Sequence, residues 1–214
     1  MNKQAFILIL SMGLMMIGLN GYGQFPSELW HEGKVVLVNT DTIRGVIKYD
    51  LERDIVQIQS KSQGINVFSA KKVLYFGFLD EITRQYRQFY ALPYGVTRDY
   101  KTPRYFEVLF EGKMTLLARE FVTVQTTNYG NSAFGGSTYS REVLAYRYYF
   151  LNDRGDIIRF QNSKKHLRQL LKNKESQVKQ YTNRNRIRYD NKSDMIQLLS
   201  YYNSLITPQR STNE

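Results

Sequence analysis

Between Gly33 and about Gln161 the chain runs as short segments rich in valine, isoleucine and aromatic residues, cut at close intervals by turn-forming residues. No other feature constrains the fold as much, because such segments hold together only by pairing edge to edge into a sheet. "GKVVLVN", "TIRGVIKY" and "DIVQIQS" are separated by Thr40-Asp41 and by the stretch from Asp50 to Arg53, whose side chains suit turns. "AKKVLYFGFLD" is apolar on both alternating faces from Val73 to Leu79, which predicts a central strand covered on both sides. "RQYRQFYAL" follows, then a loop holding Pro93, Gly95 and Pro103. "RYFEVLF" and "KMTLLAREF" come next and flank Glu111-Gly112, which suits a tight hairpin. The spacing predicts an antiparallel meander of about eight to ten strands over residues 24–161, forming a sandwich or an open barrel. The fold class is mainly β (α+β).

Two stretches within this region depart from the short-strand pattern. "TTNYGNSAFGGSTYS", Thr126 to Ser140, is rich in glycine, serine and asparagine and reads as a mobile loop interrupting the meander. It lacks G-x-S-x-G, so Ser137 is not marked as a hydrolase nucleophile. "REVLAYRYYFLNDRGDIIRF", residues 141–160, packs five aromatics and four arginines together, a mixture that could bind nucleic acid. Strand alternation places Leu144, Tyr146, Tyr148 and Phe150 on one face and Arg147 on the other with Val143, Ala145 and Tyr149. With a turn from Asn152 to Gly155, the stretch reads as the last hairpin of the sheet.

Beyond Gln161 the apolar period changes. Leu167, Leu170, Leu171, Val178 and Tyr181 fall on one side of a helix. Met195, Leu198, Leu199 and Tyr202 repeat that spacing in a second helix, capped by Asn191 or Ser193. Residues 162–207 are therefore expected to form two amphipathic helices packed on the sheet, with residues 208–214 a frayed tail.

The formal charge is +11, and residues 161–214 carry eleven lysines and arginines against four acids. Most of the excess thus lies on the helical segment, at Lys164, Lys165, Arg168, Lys172, Lys179, Arg184, Arg186 and Arg188. A basic helical face attracts anionic surfaces or acidic partners, although a merely solvated face has the same composition.

The N-terminus sets the expected compartment. Lys3 and the apolar run from Ala5 to Leu19, followed by Gly21-Tyr22-Gly23, have the layout of a secretory signal peptide. Cleavage is expected between Gly23 and Gln24, leaving 1–23 as the leader. A spanning helix needs roughly 20 apolar residues, so this run is short for an anchor, and no second long run follows. The chain has no cysteine, which removes disulfides, thiol catalysis, cysteine-ligated metals and lipid attachment through an N-terminal cysteine. An exported protein seldom meets nucleic acid, and no helix-turn-helix, RNP-type or zinc-finger pattern is present.

A search for catalytic constellations yields no catalytic, cofactor-binding or metal-ligating set. His31 and His166 are far apart and belong to no zinc pattern, and there is no P-loop or G-x-G-x-x-G. Trp30 reads as an anchor at the mouth of the first strand. The carboxylates Asp41, Asp50, Glu52, Asp54, Asp80, Glu81, Glu107 and Glu120 could supply the facing acid pair that a glycosidase needs. Asp41 and Asp50 sit in predicted turns, and Glu107, between Phe106 and Val108, is expected to face solvent.

The leader ending "GYGQ", "WHEGKVVLVNTDTIRGVIKYD", "FSAKKVLYFGFLD", "RYFEVLFEGKMTLLARE" and a closing "MIQLLSYYNSL" together make a chain that resembles the uncharacterised exported proteins of the Bacteroidetes type. The resemblance implies a periplasmic or envelope location and a β-rich body, and carries no activity. Asp41-Thr42-Ile43 is also similar to the Asp-Ser/Thr-apolar acceptor of O-glycosylation in that group, which points to Thr42. The function expected from all this is an exported, non-enzymatic binding or structural module that meets an envelope protein or anionic envelope surface through its basic helices. The alternative is an envelope glycan hydrolase with paired carboxylates.

Overall fold

In a computed structural model the chain is described over residues 25–61, 64–95, 100–129 and 137–207. The expected leader with its Gly23–Gln24 junction, and the expected tail 208–214, lie outside the described residues. Ten strands form one antiparallel sheet: β1 (His31–Leu37), β2 (Thr42–Asp50), β3 (Ile55–Ser60), β4 (Gly64–Ser69), β5 (Val73–Asp80), β6 (Gln85–Tyr94), β7 (Thr102–Phe110), β8 (Thr115–Tyr129), β9 (Ser137–Leu151) and β10 (Ile157–Arg159). The order across the sheet is β10-β9-β8-β7-β6-β5-β1-β2-β3-β4. Turn chemistry does what its residues suggest. The Asp50 carboxylate accepts the N–H groups of Glu52 and Arg53 and so closes the turn into β3.

The sheet is not closed, but it is strongly coiled. Only Ala70 to Lys72 join β4 to β5, although β3, β2 and β1 lie between them in the sheet. In a flat sheet those strands would stand about 19 Å apart, and the link from Ser69 to Val73 spans at most about 15 Å. The two ends meet because β1 to β4 bend back over the rest. Gly33 and Gly45, partners in the β1–β2 register, sit in this bend. A Cβ on Gly33 would strike the carbonyl oxygen of Gly77, and one on Gly45 that of Gln59.

Inside the coil, Val35, Ile47, Val56, Ile58, Phe76, Phe78, Phe89 and Tyr105 form one core. On the same face, past β7, a second core is covered by three helices: α1 (Lys164–Leu170), α2 (Glu175–Arg184) and α3 (Lys192–Ile206). Leu116, Ala118, Tyr148 and Phe150 of the sheet meet Leu167, Leu171, Val178, Met195, Leu198, Leu199 and Tyr202. The opposite face carries a small cluster of Phe106, Leu117 and Tyr149.

The ten strands stand in a single linear order and make one antiparallel sheet that is not closed. Three helices replace two. The run from Leu167 to Tyr181 breaks at a 3-10 turn, Lys172–Lys174, which separates α1 from α2. Asn191 caps α3 by accepting the Asp194 N–H, which decides between the two candidates. Pro93 and Pro103 face each other within β6 and β7, as edge-compatible strand positions and not in a loop. Much of Thr126–Ser140 is also strand, since Thr126 pairs with Ser140 and Tyr129 with Ser137. Residues 130–136 lie outside the described part. The β7–β8 connection is longer than Glu111-Gly112 and runs through Met114. β5 is central but not covered on both faces: Leu79, on the face away from Phe76 and Phe78, is exposed, and so is Leu74, where the β1–β5 register shifts.

Candidate functional site

Where the two cores on the concave face meet, the sheet buries a charged cluster. Alternation puts Asp80 of β5, Arg87 of β6, Glu107 of β7 and Glu120 of β8 on that face, with Tyr49 of β2 folded over them by the coil. Arg87 holds Glu107 with both ends of its fork, Nε to Oε1 at 2.9 Å and Nη2 to Oε2 at 2.8 Å. The same Nη2 donates to Glu120 at 2.7 Å, and Nη1 donates to the Tyr49 hydroxyl at 3.0 Å. Tyr49 in turn donates a short hydrogen bond to Glu120. Asp80 completes the group, its Oδ2 lying 3.6 Å from Arg87 Nη1. Lys192, the first residue of α3, donates to Glu107 at 2.8 Å and ties the helices to the cluster.

Burial disfavours a charge on Arg87, but Glu107, Tyr49 and Glu120 outweigh it and keep the guanidinium protonated. Burial also pushes Glu107 up. The hydrogen bonds and charges of Arg87 and Lys192 overcome this and hold its carboxyl below the usual carboxylate value. A carboxylate depressed on folding stabilises the fold above its unfolded pKa of about 4.3, and that contribution disappears as pH falls through the folded value. Urea midpoints measured from neutral pH to about pH 3 should therefore drop on acidification more steeply for the wild type than for Glu107→Gln. Parallel curves would refute this role for Glu107.

A second set of contacts pins the β2–β3 turn across the sheet. Asp54 accepts from Arg104 at 2.7 Å, from Arg119 at 2.6 Å and from the Tyr105 N–H at 2.9 Å. Arg119 also donates to the carbonyl oxygens of Tyr105 and Leu51. Beside these contacts a cleft of about 660 Å³ opens on the sheet face turned away from the helices. Arg104 of β7, Arg119 of β8, Arg147 of β9 and Arg159 of β10 line it together with Tyr94 and Tyr149. Arg119 and Arg147 are direct cross-strand partners, and Arg159 pairs with Tyr149. The Arg147 guanidinium carbon lies 3.8 Å from the centre of the Phe121 ring.

The basic residues expected on the helices, Lys164, Lys165, Arg168, Lys172, Lys179, Arg184, Arg186 and Arg188, are all exposed. Lys165, Arg168 and Lys172 gather around a shallow hollow with Gln169 and Glu175, while the remaining members do not line it. Arg168 lies 3.8 Å from Glu175, and Arg188 lies 3.3 Å from Asp194. Thr42 is exposed at the start of β2. His31 is buried, stacked on Phe78 at 4.5 Å, with its Nε2 2.7 Å from the Pro26 carbonyl oxygen. His166 stacks on Phe160, and its Nδ1 accepts the Gln161 N–H. Both histidines serve packing.

Glu107 overturns its expected exposure: it is 3% exposed, because the coil and α3 both cover its face. The arginine-lined cleft was missed altogether. Each of its arginines comes from a different strand, so no local motif announces it. Among the described residues, no helix is long and apolar enough to cross a membrane, and no group of histidine and acidic side chains could hold a metal ion. No family model, curated protein or solved structure matches the chain.

Proposed function

We propose that this chain is an exported, envelope-associated binding module without enzymatic activity, whose partner is an anionic envelope component or an acidic envelope protein. The observation that carries the reading is the exposed cationic surface of α1, α2 and the residues following α2. Lys164, Lys165, Lys172, Lys179, Arg184 and Arg186 there make no ion pair among the described residues. Export rests on the leader-like N-terminus. The body is best regarded as an open barrel-like coil of one sheet, with the helical segment as its contact surface.

The geometry favours binding over glycan hydrolysis. Glu107 and Glu120 share Arg87, and Lys192 and Tyr49 hold them in turn. A general acid needs a proton to give, and Glu107 is held in its ionised form by its cations.

Attraction between exposed charges is screened by salt. Raising NaCl from ~0.05 to ~0.5 M should release the protein from isolated native envelopes, since the screening length shrinks to a few ångströms over that range. The charge-reversed variant Lys165→Glu/Arg168→Glu/Lys172→Glu should already be free at the lower concentration. Retention that ignores both salt and charge reversal would end this proposal.

A further inference from the structure

The cleft on the far face of the sheet carries a separate inference, independent of the helical surface. Four consecutive strands each contribute one arginine to it. Asp54 neutralises Arg104 and Arg119 in part, whereas Arg147 and Arg159 have no carboxylate partner among the described residues. The remaining acids at the cleft do not make up the difference. Glu120 is committed to Arg87 and Tyr49, and Glu52 lies exposed in the β2–β3 turn.

This arrangement works against the fold. Like charges directly opposite on one face of an antiparallel pair destabilise it, and Arg119 and Arg147 occupy such positions. The two guanidiniums are also held in place before any ligand arrives. Arg119 is fixed by Asp54 and by the carbonyl oxygens of Leu51 and Tyr105, and Arg147 by the Phe121 ring. Oriented guanidinium forks match carboxylate, sulfate and phosphate oxygens, and prior fixing lowers the entropy lost on binding. Beneath them Tyr94, Phe106 and Tyr149 meet edge to face at 5.0 to 5.5 Å, giving a rigid aromatic floor. The volume, about 660 Å³, lies in the range of small-molecule sites.

We propose that this cleft is a binding site for a compact oligoanion, a ring-sized molecule bearing at least two carboxylate or phosphate groups, with Arg147 and Arg159 as its principal cationic contacts. Tyr149 also lines the cleft; burial raises the pKa of its phenol, against the lowering charges of Arg119, Arg159 and Arg147.

Titration calorimetry on the full mature-length chain at low salt tests the site with two probes, digalacturonate for carboxylates and inorganic pyrophosphate for phosphates. Saturable one-to-one binding of at least one probe is expected. Arg147→Gln/Arg159→Gln should weaken it tenfold or more, and the single variant Arg159→Gln severalfold. The helical variant Lys165→Glu/Arg168→Glu/Lys172→Glu should bind as the wild type does, which separates this site from the envelope-contact surface. Tighter binding of digalacturonate assigns an acidic glycan, and tighter binding of pyrophosphate a phosphorylated ligand. No saturable binding of either probe, or equal affinity in the double variant with its fold intact by circular dichroism, overturns the proposal.

Discussion

Arg87→Met is expected to lose about 3–5 kcal/mol of stability, the range seen when one partner of a buried ion network is removed. Arg87 touches Asp80, Glu107, Glu120 and Tyr49, and all three carboxylates are at most 6% exposed. Without it those acids lose their central cation, with only Lys192 left on Glu107. Methionine keeps much of the volume, so the loss measures uncompensated charge more than a cavity. Native domains have only about 5–15 kcal/mol in total, so the urea midpoint should fall by a large fraction. The triple variant Arg87→Met/Glu107→Leu/Glu120→Leu should recover part of it, since it removes two of the three stranded carboxylates while Asp80 stays buried without its cation. A single variant within about 1 kcal/mol of the wild type would refute this account.

Leu198→Ala is expected to cost about 2–5 kcal/mol, the range for truncating a fully buried leucine. Leu198 has no exposed surface and lies in the core that joins α3 to Leu116, Ala118, Tyr148 and Phe150. The site cannot collapse easily, because a sheet backs it on one side and α1 and α2 close it on the others. Ser200→Ala, on the exposed side of the same helix, should stay within about 0.5 kcal/mol. Thermal unfolding of the two variants side by side is the check. Similar melting temperatures for both would show that α3 rests on the sheet without stabilising it.

The parts of the fold that were legible in the sequence are those whose physics is local. Strand alternation gave the opposed faces of β9, with Tyr148 and Phe150 buried under the helices and Arg147 turned away from them. Helical spacing gave Met195, Leu198, Leu199 and Tyr202, all of them buried. The break at Lys172–Lys174 escaped because Leu171 and Val178 stand seven apart, a spacing that an unbroken helix satisfies equally well.

What remained hidden depends on distant partners. Glu107 looked solvent-facing because Phe106 and Val108 are apolar, a sound inference for a sheet with one wet face. Its concave side is instead closed by Arg87, twenty residues earlier, and by Lys192, eighty-five residues later. The cleft arginines illustrate the same limit, since Arg104, Arg119, Arg147 and Arg159 are neighbours only after four strands have taken their register. The residues 141–160 that suggested a binding surface do contribute to one. Only Arg147, Tyr149 and Arg159 of that stretch line it, alongside residues from three other strands.

The three-residue link between β4 and β5 has a consequence for chain entropy. Every ladder in the sheet joins strands that follow one another in sequence, except that of β1 with β5, where Val35 meets Phe76. For a protein of ten strands that is a low share of distant pairings, and distant pairings are what slow the assembly of β proteins. The cost of closing a loop grows only with the logarithm of its length, and here the loop is already folded into β2, β3 and β4. Loop closure is thus concentrated in one event, and the coiled stack of those three strands shortens the distance it has to cross.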